Sequence, residues 1–140
     1  MTATALPAHG LVAVVGTSYR QEAVREVAER AKGSGAFLDE VGGAARRAAE
    51  DDFDGRWFRA ELAREPDNEH DPNAVAVFAD EGTQLGYLSR DDAVAYGAVF
   101  ARIDGRGSCP AFVVGEERLG QTLGVMLCLS PPDEILKELG

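Results

Sequence analysis

Residues 64–78 read REPDNEHDPNAVAVF, and they hold seven consecutive polar or turn residues, 67–73, between two alternating apolar runs. A hairpin connection is usually about two to five residues long and reverses on a Gly with positive φ. No Gly is present in this one. Pro66 and Pro72 restrict φ instead, and Asp67, Asn68, Asp71 and Asn73 carry short side chains suited to accepting from nearby backbone N–H groups. The pattern therefore predicts two strands joined by a rigid loop that presents carboxylate, amide and imidazole groups.

Upstream, residues 56–64 alternate, with Phe58, Ala60 and Leu62 on one face and Arg59, Glu61 and Ala63 on the other, which predicts a half-buried strand. Downstream, 74–78 forms the partner strand, DEGT at 80–83 makes a hairpin, and QLGYL at 84–88 returns. Ser89 is suited to N-cap a helix running to about residue 103, because Asp91 and Asp92 sit where the macrodipole favours acids. Gly105 and Gly107 end it. Residues 108–114 and 122–129 are two further apolar runs joined by GEERLGQ, and Pro131-Pro132 precedes a C-terminal helical tail over 131–140.

Before the central stretch, GLVAVVG at 10–16 reads as a buried strand and 20–32 as an amphipathic helix stopped by Gly33-Ser34-Gly35. Residues 33–55 read as an insertion or variable segment, with a short surface helix over 44–52. Most connections are too short for parallel crossovers. One domain over 1–140 is expected: mainly β with helices, an α+β curled β-barrel of about six strands with two main helices.

The 140 residues suffice for one core, and 45% hydrophobic with 27% charged residues is a globular composition. The longest apolar run is too short to span a bilayer, and MTATALPAHG lacks the features of a signal peptide, so a cytoplasmic protein is expected. Cys109 and Cys128 are isolated in apolar segments and predict buried reduced thiols. The net charge is −10, with 9 acids against 8 bases in residues 1–60 and 15 against 6 in 61–140. This balance excludes a broad DNA-coating surface, which draws its affinity from many cations.

Two clusters carry candidate chemistry. Tyr19 follows the first strand in VGTSYR; it is read either as a cap on the core or as a rim aromatic. In the polar loop, residues 67, 69, 71 and 73 resemble half a calcium loop, but Pro72 stands where Gly is needed and Phe78 where the bidentate Glu is needed. A metal-dependent hydrolase would use Glu65, Asp67, His70 and Asp71, but no second His and carboxylate set supports it. No metal, cofactor or catalytic residue is expected. A recognition pocket, with a carboxylate and amides for a hydroxyl and an aromatic face for a ring, uses all the residue types present.

The succession VVGTSYRQEA, REPDNEHDPNAVAVF, GTQLGYLSRDDAVAY and a late GVMLCL resembles the HIRAN domain in its stand-alone bacterial form, across nearly the whole chain apart from 33–55. The resemblance implies an OB-like or SH3-like barrel of about six strands with two helices. It also implies capture of the 3′-hydroxyl end of single-stranded DNA, as in eukaryotic fork-remodelling helicases, and hence a DNA-repair setting with a helicase or nuclease partner. Carried onto this sequence, it makes Tyr19 a platform for a base and Asp71 the acceptor for the terminal hydroxyl, with Asn68 beside it in the pocket wall. His70 stands where DNA-binding members have a stacking Tyr, and Ser18 replaces a basic residue. Tyr87 and Arg90 match a polar ring and a cation near the phosphates, while Asn73 holds the loop through backbone bonds.

The chemistry of such a site is simple. A carboxylate accepts a hydrogen bond from a 3′-hydroxyl and repels a 3′-phosphate, so one acid distinguishes a free end from a blocked one. The rival expectation is a protein-interaction or regulatory domain that meets a basic partner through Asp104, Glu116 and Glu117.

Overall fold

The computed structural model describes residues 3–35, 37–51, 55–79 and 82–140. Strands β1 (Thr4–Ala5) and β2 (Leu11–Ala13) precede helices α1 (Gln21–Ala31) and α2 (Gly43–Asp51). Strands β3 (Trp57–Arg64), β4 (Val75–Ala79) and β5 (Gln84–Tyr87) frame the polar loop and the next turn. Helices α3 (Arg90–Ala95) and α4 (Gly97–Ala101), strands β6 (Gly107–Val114) and β7 (Gly124–Cys128), and helix α5 (Pro132–Leu139) complete the order. Of the expected hairpin at 80–83, Asp80 and Glu81 lie outside the described residues.

The strands run β2-β7-β6-β3-β4-β5, each antiparallel to its neighbour, and β1 pairs in parallel with the start of β6. The sheet curls until its two edges meet just beyond β2. Val15 N–H donates to the Tyr87 carbonyl at 2.8 Å and Tyr87 N–H donates to the Val15 carbonyl at 3.0 Å. Gly86 permits this approach, because a Cβ there would stand 2.8 Å from Val14 Cγ1 and collide with the Val15 carbonyl oxygen.

Alternation along β3 sorts its side chains between two cores. Phe58, Ala60 and Leu62 enter the barrel with Val77, Leu85, Ala111 and Leu127, where α1 adds Val24 and Val27 and α5 adds Ile135. Trp57 points the other way, into a second cluster with Ala8, Val41, Ala45, Ala49, Phe112 and Cys128. The Trp57 and Phe112 rings lie 4.6 Å apart by centroid. Both cysteines are free and buried.

Three expectations change. Residues 10–16 do not form a buried strand: only Leu11–Ala13 is strand, at a sheet edge, with Leu11 39% exposed. A continuous apolar run has no periodicity to show that its strand has a neighbour on one side only. Helix α2 is not confined to the surface, since Ala45 and Ala49, one turn apart, are buried over the outer face of the sheet. The helix expected over 89–103 breaks at Tyr96, whose buried hydroxyl donates to the Ser130 carbonyl at 2.8 Å before Gly97 starts a new turn. The expected C-terminal helical tail is present as α5, docked through fully buried Ile135.

Candidate nucleic-acid interface

The polar loop is built by its own side chains. Pairing of β3 with β4 continues through Glu65 N–H to the Ala74 carbonyl at 2.9 Å. Asn68 Oδ1 then accepts from the backbone N–H of His70 at 2.9 Å and of Asp71 at 3.0 Å, while its Nδ2 donates to Glu65 Oε1 at 2.9 Å. Asp71 Oδ1 accepts from Asn73 N–H at 3.0 Å, and Ala74 N–H donates to the Asp71 carbonyl at 3.0 Å. Successive side-chain turns thus reverse the chain with every described non-glycine φ negative.

These bonds divide the labour between neighbours. The Asn68 amide is engaged at both ends inside the loop, so it shapes the turn. Asp71 uses one oxygen internally, and the other, Oδ2, lies 4.0 Å from Arg90 Nε, with the Asp71 side chain 22% exposed. Arg90 opens α3 behind Ser89, whose hydroxyl accepts from Asp92 N–H at 3.1 Å as the N-cap expected from sequence. The cap fixes the backbone at Arg90 and leaves its side chain 81% exposed.

Tyr19 comes from the other sheet edge. Gly16, at φ 80°, leads into a 3₁₀ turn over Thr17–Tyr19 that leaves Tyr19 91% exposed. Partly buried Tyr87 is tied to this segment through Val15 and lies three residues before Arg90. Asp71 and Arg90 therefore meet directly, Asn68 supports Asp71 from within the loop, and barrel closure joins Tyr87 to the segment leading to Tyr19. Exposed Tyr19 and His70 have no side-chain hydrogen-bond partner among the described residues. Gln21, not singled out in the sequence, anchors the Tyr19 turn to the chain at Leu123. No local signal pointed to it, because its partner lies across the barrel.

The alternative chemistries meet different surroundings. Among the described residues, no group of three or more His, Cys, Asp and Glu side chains is arranged to hold a metal. Glu116 stands 3.5 Å from Arg118, and Glu117 stands 3.9 Å from Arg25, so cations oppose two of the three acids proposed for a basic partner. No described helix is long and apolar enough to cross a membrane.

Residues 57–114, from β3 through β6, match the HIRAN domain family model. The match covers the polar loop, Tyr87 and Arg90, and it agrees with the resemblance read from the sequence; Tyr19 lies before it. No curated protein sequence matches the chain. Among solved structures, a protein from Lactobacillus plantarum is similar at 20% identity and TM-score 0.48, over 86% of this chain and 92% of that one. The HIRAN domain of human HLTF is similar at 16% identity and TM-score 0.47, over 96% of this chain and 84% of that one.

Proposed function

We propose that this chain, with its HIRAN-domain match over residues 57–114, is a non-enzymatic nucleic-acid-binding module that captures the free 3′-hydroxyl end of single-stranded DNA. One observation supports the reading: Asp71 is tied into the loop by hydrogen bonds from Asn73 N–H to its Oδ1 and from its own N–H to Asn68, while its Oδ2 lies beside the exposed guanidinium of Arg90. A terminal nucleotide offers the complement, a hydroxyl for the carboxylate and a phosphodiester for Arg90 one bond system away. Tyr19 and His70 supply ring faces for the bases, and Tyr87 supplies a polar ring near the phosphates.

The energetics suit an acidic protein. Stacking contributes about 1–3 kcal/mol per base and a charge-assisted hydrogen bond about 1.5–3 kcal/mol. Roughly micromolar affinity follows after ordering costs, with little phosphate neutralisation. Such a module would deliver strand ends to a helicase or nuclease partner.

The test is fluorescence anisotropy with short single strands ending in a 3′-hydroxyl or a 3′-phosphate. Tighter binding of the hydroxyl end, lost in Asp71→Ala, is the expected result. Equal affinity for both ends in the unsubstituted protein would overturn the proposal.

A further inference from the structure

An aromatic platform is effective only if the backbone beneath it is held, and the Tyr19 turn has little local support. Its own backbone bonds are Tyr19 N–H to the Gly16 carbonyl at 3.2 Å and Arg20 N–H to the Thr17 carbonyl at 3.0 Å. The segment leading into it is held at Val15 by Tyr87, and the turn itself is held by the side chain of the first residue of α1. Gln21 Nε2 donates to the Thr17 carbonyl at 2.8 Å and to the Leu123 carbonyl at 2.8 Å, while Gln21 Oε1 accepts from Leu123 N–H at 2.9 Å. Both amide hydrogens and the amide oxygen are used, and the reversed amide would set its oxygen against two carbonyls.

Leu123 is 3% exposed and immediately precedes β7. A single side chain thus staples the turn to the barrel wall across 102 positions of sequence. Glu cannot replace it, because a carboxylate has no N–H for Thr17 and Leu123.

We infer that Gln21 is a positioning residue for Tyr19: it touches no ligand and holds the backbone that carries the ring in place before a strand arrives, which lowers the ordering cost of stacking. This inference rests on the reading that Tyr19 stacks a base. Removal of the amide should therefore weaken binding while leaving the choice between 3′-hydroxyl and 3′-phosphate, made at Asp71, unchanged.

The experiment is a double-mutant cycle read by anisotropy on a short 3′-hydroxyl single strand, using Gln21→Ala, Tyr19→Ala and their combination, with Gln21→Met as a bulkier variant lacking the amide. Gln21→Ala and Gln21→Met should each bind about fivefold more weakly, the lower end of the effect of one lost stack, with the end preference retained. The double variant should be no weaker than Tyr19→Ala alone. Unchanged affinity in both Gln21 variants, or effects that multiply in the double variant, would overturn the inference.

A ligand-free readout separates the two proposals. Amide hydrogen exchange at Tyr19 and Arg20 should quicken in Gln21→Met while exchange in β3 and β6 stays slow. If exchange at the turn is unaltered, the positioning role fails whatever DNA does; if the unsubstituted protein does not distinguish 3′ ends, the functional reading fails even where the turn loosens.

Discussion

Asp71 Oδ2 stands 4.0 Å from Arg90 Nε, joining the loop between β3 and β4 to the first turn of α3. At that separation, with the guanidinium largely in solvent, the pair contributes little to stability. Its significance is in placement: an acceptor and a cation are held side by side at a loop whose backbone is fixed by hydrogen bonds.

Asp71→Asn separates charge from shape. The amide oxygen still accepts from Asn73 N–H, so the loop should keep its form and the unfolding free energy should change by less than about 1 kcal/mol. The preference for a 3′-hydroxyl over a 3′-phosphate should fall to near parity in anisotropy titrations. A retained preference would move the discriminating group elsewhere.

Arg90→Gln should weaken single-strand binding uniformly across sequences. Loss of one phosphate contact lowers the slope of log affinity against log salt by about 0.7. Titrations at several salt concentrations give the slope directly, and an unchanged slope would exclude a phosphate at Arg90.

Asn68→Ala removes three hydrogen bonds that shape the loop. A loss of about 1–3 kcal/mol is expected in urea unfolding, together with weaker DNA binding at both kinds of end. A variant of unaltered stability that loses only end preference would instead make Asn68 a ligand contact.

Gly86→Ala tests barrel closure. The added methyl would meet Val14 Cγ1 at 2.8 Å and collide with the Val15 carbonyl, so a destabilisation of about 1–3 kcal/mol is expected from overpacking. Parted edges would also shift the segment leading to Tyr19. Chemical denaturation measures the first effect and single-strand anisotropy the second.

Stability should fall in alkali. Burial raises the Cys109 thiol strongly and the Cys128 thiol to about 12 from an ordinary 9, and it raises the Tyr96 phenol, with a further contribution from Asp92, to about 12 from 10. The folded state holds these protons more tightly, so the stabilisation is complete below about pH 9 and is lost as pH rises towards 12. Urea midpoints between pH 8 and 11.5 should decline, and Tyr96→Phe should flatten the part of the decline above pH 10. A midpoint independent of pH over this range would contradict the buried setting of all three groups.

Much of the fold was legible because it is locally encoded. The period-two alternation of Phe58, Ala60 and Leu62 marked a strand face, Ser89 with Asp91 and Asp92 marked a helix start, and the Asn and Asp side chains of 67–73 marked a turn that needs no glycine. Each of these signals involves neighbours within a few positions. The break at Tyr96 was passed over although Gly97 beside it is a weak helix former, and the bond that buries the Tyr96 hydroxyl, to Ser130 34 positions away, could not be read locally. Helix α2 was misread for a related reason: Ala45 and Ala49 look like surface helix formers until Trp57 and Phe112 lie beneath them.

By itself, then, the sequence determined the β3–loop–β4 unit and the cap that precedes Arg90, since backbone period, capping and side-chain turns act over a few residues, while Asp71 was singled out only by the family resemblance. Tertiary structure alone decided that Arg90 faces Asp71, that Val15 meets Tyr87 to close the barrel, and that Gln21 holds the Tyr19 turn through Leu123. These contacts join segments distant in sequence, and their geometry follows from how the whole sheet curls and packs.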